Sequence, residues 1–181
     1  MNIPNLISLA RLLSVPVAVW LILAGEIQGA FWLFIAAGVS DAADGFIAKR
    51  FNAETVLGKF LDPIADKALL VSVFVTLGQV GFLQTWLVIL VVFRDAVIVG
   101  GALLFETLTH SLTMEPLKIS KVNTVAQIVL AAVALGFNGF EVRDPGVVGV
   151  LAVVVAVTTV LSGLLYVVKW TGRAADIEDQ K

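Results

Sequence analysis

The chain has 181 residues, of which 59% are hydrophobic and 14% charged, with a formal net charge of −2 and a mean hydropathy of +1.00. That composition lies far outside the range of soluble domains and reads as an all-α integral membrane protein. The acidic balance argues against a nucleic-acid partner, the single histidine excludes a histidine-rich metal centre, and the absence of cysteine excludes disulfides, zinc thiolates and a thiol nucleophile.

Six apolar segments follow, each near the roughly 20 residues that cross a bilayer. The first, about Leu6 to Ala24, comes after Pro4 and carries Asn5, Ser8 and Arg11 as a polar stripe at every third residue. No basic stretch precedes it and Arg11 interrupts its start, so it reads as a retained membrane helix and not as a signal peptide. The second covers about Ala30 to Ala48, with Lys49 to Gly58 as a polar connection. The third starts near Gly58 or Phe60 and ends at Leu77, with Pro63 as either a start signal or a kink.

The fourth, Thr85 to Phe105, has Arg94-Asp95 near its middle, either an internal ion pair or a pair that lends Arg94 to a substrate phosphate. A polar connection from Glu106 to Lys121 holds His110, more naturally a solvated loop residue than a ligand. The fifth helix runs from about Ser120 to Phe137, and Gly139 to Pro145 is a turn. The sixth covers Gly146 to Val168, and a charged tail from Lys169 to Lys181 is expected to fray. The chain reads as one domain over 1–181, too short for a separate soluble catalytic module.

Basic residues set the orientation. Lys49, Arg50 and Lys59 fall in the second connection, Lys118 and Lys121 in the fourth, and Lys169 and Arg173 after the last helix, whereas the first, third and fifth connections hold only Arg143. Both termini and the second connection are therefore expected on the cytoplasmic side.

The most informative stretch is Asp41-Ala-Ala-Asp44-Gly45-Phe-Ile-Ala48-Lys49, then eight residues, Gly58, three residues, Asp62, three residues and Asp66. On helices, Asp41 and Asp44 are one turn apart, and Gly58, Asp62 and Asp66 form a second stripe. Carboxylates gathered in an apolar protein repel one another unless a cation joins them, and hard oxygen ligands suit Mg²⁺, Mn²⁺ or Ca²⁺. The alternative, four aspartates that merely cap two helix ends, does not need this register.

This pattern resembles the signature of the CDP-alcohol phosphatidyltransferases at every fixed position but one, Lys49 standing where the family usually has Arg. Lys49 keeps the charge and loses the two-pronged phosphate contact, which neighbouring Arg50 is placed to supply. The resemblance implies six transmembrane helices in the bacterial inner (cytoplasmic) membrane, with the site facing the cytoplasm. It also implies a CDP-diacylglycerol substrate and divalent Mg²⁺ or Mn²⁺, two ions, held by Asp41, Asp44, Asp62 and Asp66. Asp66 would be the general base, Gly45, Ala48, Lys49 and Gly58 would lie against the CDP group, and a homodimer is expected.

Arg94-Asp95 and Ser120-Lys121-Val122-Asn123-Thr124, followed by Ala126-Gln127, resemble the CMP-forming cardiolipin synthases, which use phosphatidylglycerol as acceptor. The amino-terminal Asn-Ile-Pro-Asn-Leu and the run Leu61 to Lys67 are shared with the phosphatidylglycerophosphate synthases, which use glycerol 3-phosphate. Arg94, Lys118, Lys121 and Asn123 are the acceptor-binding candidates. Asn123 replaces a second lysine, which suits a diester acceptor better than a more highly charged monoester. A reading of another class, an ion-coupled transporter, would place acids near the bilayer midplane and broken helices in both halves of the sequence. Here the acids occupy one third of the chain.

Overall fold

The computed structural model describes the backbone at residues 3–51, 56–109 and 118–178, and side chains at 8–41, 64–101 and 118–169. Six helices follow in the expected order: α1 (Ile3–Leu23), α2 (Ile27–Phe51), α3 (Val56–Gln79), α4 (Thr85–Thr109), α5 (Lys118–Gly139) and α6 (Val147–Glu178). No strand occurs among the described residues.

The helix ends differ from those read off hydropathy. Lys49, Arg50, Gly58 and Lys59 are helical and not part of a loop, Pro63 lies inside α3 and not at its start, and α6 continues through Lys169 to Glu178, where a frayed tail was expected. Hydropathy marks how far a segment is apolar. A helix continues past that point wherever lysine, arginine, alanine and glutamate, all good helix formers, keep its hydrogen-bond ladder going. His110 lies outside the described residues.

Two compact units are present, Met1–Gln84 with Ala131–Val148, and Thr85–Leu130 with Gly149–Lys181. In the first, α1 packs against α2 and α3. Phe74, Leu77, Ala131 and Leu135 are completely buried in its core, and Ala18, Ala30 and Ala65 are almost so. Between α2 and the end of α5 lies an apolar groove of about 470 Å³, lined by Phe31, Ile35, Gly136, Phe137 and Phe140 among others.

Local chemistry fixes several of the helix ends. α1 closes with Glu26 N donating to the Leu21 carbonyl at 2.9 Å and Gly25 N to the Ile22 carbonyl at 3.2 Å, and Gly25 takes the left-handed conformation this cap needs, with φ of 81°. Asp144, expected within a turn, caps α6, its Oδ1 accepting from Gly146 N at 3.0 Å and Val147 N at 2.7 Å.

Among the described glycines, Gly139 has the least room for a side chain. A Cβ there would lie 3.1 Å from Gln28 N and 3.2 Å from Gln28 Cα and the Ile27 carbonyl carbon, backbone atoms that have no rotamer to yield. Gly139→Ala is therefore expected to destabilise by about 1–3 kcal/mol. Gly38→Ala, where an added Cβ meets nothing within 4 Å, should be neutral or stabilising. Thermal denaturation of the two variants side by side checks the contrast.

Lys118–Gly139 and Val147–Lys169 are each long and apolar enough to cross a membrane, and the described parts of α1 and α2, Ser8–Leu23 and Ile27–Asp41, are apolar as well. On α6, Val150, Val153, Val157, Leu164 and Val168 are all exposed. An apolar outward face of this length is unsuited to water.

Candidate active site

Arg11 is the junction of the first unit. Its helix, α1, packs against both α2 and α3, and its side chain is 3% exposed. Nη1 donates to Asp41 Oδ1 on α2 at 2.7 Å and also to Asp66 Oδ1 on α3. One nitrogen thus joins two aspartates 25 positions apart in the sequence, from different helices. Ser8, one turn before Arg11, is 2% exposed, so these two members of the polar stripe on α1 face inward.

The electrostatics follow from this count of charges. One guanidinium between two carboxylates leaves a negative charge in excess, and the carboxylates, unlike Arg11, remain open, with side chains 46% and 42% exposed. A half-open pair of hard oxygen donors carrying excess negative charge fits a divalent cation. Among the described residues, no three metal-ligating side chains come together. Asp44 and Asp62 belong to helical stretches of α2 and α3, in register with Asp41 and Asp66 at one-turn spacing. Their side chains, with those of Ala48 and Lys49, and the surroundings of Gly45 and Gly58, lie outside the described residues.

Sequence reasoning placed Arg11 in a polar stripe but assigned it no role at the site. The signal was available: an arginine in the first turns of an apolar helix, with no acid on its own helix, needs a partner from elsewhere.

The other candidates belong to the second unit. Arg94, 5% exposed, donates from Nη1 to Asp95 Oδ1 at 2.7 Å and from Nη2 to Ser120 Oγ at 2.7 Å and to Ser162 Oγ. Its guanidinium carbon is 6.0 Å from the centre of the Tyr166 ring, and Gly163 leaves room for its stem, a Cβ there lying 3.6 Å from Arg94 Cγ. Of the two sequence readings of Arg94-Asp95, this geometry supports the internal pair. Arg94 ties α4, α5 and α6 together, and only its Nε has no hydrogen-bond partner among the described residues. Lys118 and Lys121 are exposed on the first turn of α5, whereas Asn123 is completely buried and accepts from the Thr158 and Thr159 hydroxyls of α6 at 2.8 and 2.9 Å.

Comparison with known proteins agrees with the family resemblance. The family model described as CDP-alcohol phosphatidyltransferase matches residues 1–168. A chloroplastic CDP-diacylglycerol–glycerol-3-phosphate 3-phosphatidyltransferase of Oryza sativa subsp. japonica is 37% identical over 94% of this chain and 57% of its own length. A cardiolipin synthase (CMP-forming) of Rattus norvegicus is 31% identical over 91% of this chain and 60% of its own. A CDP-diacylglycerol–glycerol-3-phosphate 3-phosphatidyltransferase of Bacillus subtilis is 31% identical over 76% of this chain and 78% of its own. The chain belongs to the CDP-alcohol phosphatidyltransferase family. It spans less than two thirds of the length of the rice and rat relatives.

Proposed function

We propose that the protein transfers the phosphatidyl group of CDP-diacylglycerol to a hydroxyl of phosphatidylglycerol, giving cardiolipin and CMP. The observation that carries the reading is the meeting of Asp41 and Asp66 on Arg11, which brings the two ends of the aspartate motif together.

In this reading Asp41, Asp44, Asp62 and Asp66 hold Mg²⁺ or Mn²⁺, two ions. Bound there, the metal supplies neutralisation of the diphosphate charge. Asp66 takes the proton of the acceptor hydroxyl as its oxygen bonds to the phosphorus bearing the diacylglycerol, and the bond from that phosphorus to CMP breaks. Arg11 keeps Asp66 oriented and limits repulsion between the carboxylates. Gly45, Ala48 and Gly58 leave space for the CDP group, with Lys49 near its phosphates. The exposed apolar faces support six membrane-spanning helices, and the distribution of basic residues supports a site on the cytoplasmic side of a bacterial inner membrane. A homodimer is part of the same reading.

Glycerol 3-phosphate is the second reading, favoured by the relatives from rice and Bacillus, whose names specify that acceptor. Asn123, standing in place of a second lysine, removes a cation at that position and supports the diester instead. Purified protein given CDP-diacylglycerol and Mg²⁺ or Mn²⁺ should release CMP with phosphatidylglycerol and form cardiolipin. Phosphatidylglycerophosphate from glycerol 3-phosphate alone would reverse the choice of acceptor, and CMP release with neither would overturn both.

A further inference from the structure

Arg11, Asp41 and Asp66 all belong to the first unit, as do Asp44 and Asp62. The Arg11 side chain is 3% exposed and the carboxylates it joins are 46% and 42% exposed, so the cation is enclosed and the anions are accessible. One nitrogen, Nη1, serves both Oδ1 atoms. Orientation alone does not require a charge there. In the second unit a buried side chain is held by neutral groups, the Thr158 and Thr159 hydroxyls on Asn123 Oδ1. A neutral donor at position 11 would still tie α1 to its neighbours without opposing a cation.

A guanidinium keeps its proton in proteins, so its positive charge is a fixed feature of the site. Any divalent cation held by Asp41 or Asp66 is a near neighbour of that charge and is repelled by it, the more so where water is partly excluded. The balance changes when an anion joins them. In the phosphatidyl-transfer reading four aspartates and two divalent ions are neutral together, and Arg11 leaves the assembly one positive charge in excess. The diphosphate of the CDP-lipid is the anion that takes up the excess. We propose that Arg11 couples the two ligands: it weakens binding of a divalent cation by the aspartates alone and strengthens binding of cation and CDP-lipid together. The proposal rests on the phosphatidyl-transfer reading and adds an order to it, in which the carboxylates fill with metal as the nucleotide lipid arrives. By linkage each ligand then raises the other's affinity by one common factor.

Binding of Mn²⁺ to the purified full chain, read from the electron paramagnetic resonance signal of the free ion, tests this without turnover, since no acceptor is present. Micelles carrying CDP-diacylglycerol without protein give the background. In the unsubstituted protein CDP-diacylglycerol is expected to tighten Mn²⁺ binding by about 10- to 100-fold. Arg11→Gln keeps a donor and removes the charge. It should bind Mn²⁺ about 10-fold more tightly than the unsubstituted protein when CDP-diacylglycerol is absent, and lose that advantage when it is present. Arg11→Lys, which keeps the charge, should bind Mn²⁺ as the unsubstituted protein does. If Arg11 only positions the carboxylates, the sign is opposite: Arg11→Gln binds Mn²⁺ more weakly with and without the lipid, and that result overturns the proposal. So does an Arg11→Lys protein that matches Arg11→Gln. Should neither variant fold, equal Mn²⁺ affinity of the unsubstituted protein with and without CDP-diacylglycerol overturns it as well. CMP release with an acceptor tests the transfer reading separately. Release by a protein without the coupling overturns this proposal alone, and coupling in a protein that releases CMP with neither acceptor supports the assignment of Arg11 while the transfer reading fails.

Discussion

Asp66→Asn is expected to cut CMP release by about 10²- to 10⁴-fold, the usual contribution of a positioned general base, while CDP-diacylglycerol binding largely survives. The structural grounds are local. An asparagine at 66 still offers an oxygen to Arg11 Nη1, so the tie between α1 and α3 is retained while the proton acceptor is lost. Asp41 keeps its own bond to the same nitrogen at 2.7 Å. Asp62→Asn should differ in kind, lowering affinity for Mg²⁺ or Mn²⁺ and, with it, for the CDP-lipid. Binding isotherms and single-turnover CMP release, measured on both variants at matched metal concentrations, separate the two. If Asp66→Asn and Asp62→Asn lose CDP-lipid binding equally, the division between base and ligand is wrong.

Arg94→Leu is expected to be the most destabilising of the substitutions considered. The guanidinium and its Asp95 partner are both buried, with side chains 4% and 8% exposed. Removing one charge of a buried pair and leaving the other costs about 3–5 kcal/mol, and here the bonds to Ser120 and Ser162 go as well. Replacing both members, Arg94→Leu with Asp95→Leu, should recover part of the loss, since neither buried charge of the pair then remains. Chemical denaturation of the single and double variants in detergent forms the cycle. A double variant no more stable than Arg94→Leu would show that the serine bonds, and not the charge pair, hold these helices.

The number and order of the helices were legible because each is an apolar run of suitable length, and the aspartate register because helical spacing is a property of the sequence itself. Helix ends were less legible. Nothing in hydropathy separates Lys49-Arg50 as the last turn of α2 from the same residues as a loop, yet Asp144 before Val147 carried a readable cap signal. What could not be read was anything depending on which helices meet. Arg11, Asp41 and Asp66 come from three helices, and Asn123 is held by threonines 35 and 36 positions away. Arg94 shows the same limit. Its two readings differ only in what lies around it, and Ser120 and Ser162 are remote from it in sequence.

The unit that carries Arg11, Asp41 and Asp66 is discontinuous: its core also takes Ala131, Ala134 and Leu135, which follow long after Gln84. A ribosome adds about 5–20 residues per second. For several seconds, then, the first three helices exist with their aspartates and their arginine while the last apolar surface of that core has not been made. During that interval the Arg11 bonds are among the polar ties that hold α1, α2 and α3 in register. The same contact that orders the carboxylates for chemistry is thus placed to act earlier, as a latch in a vectorially emerging chain.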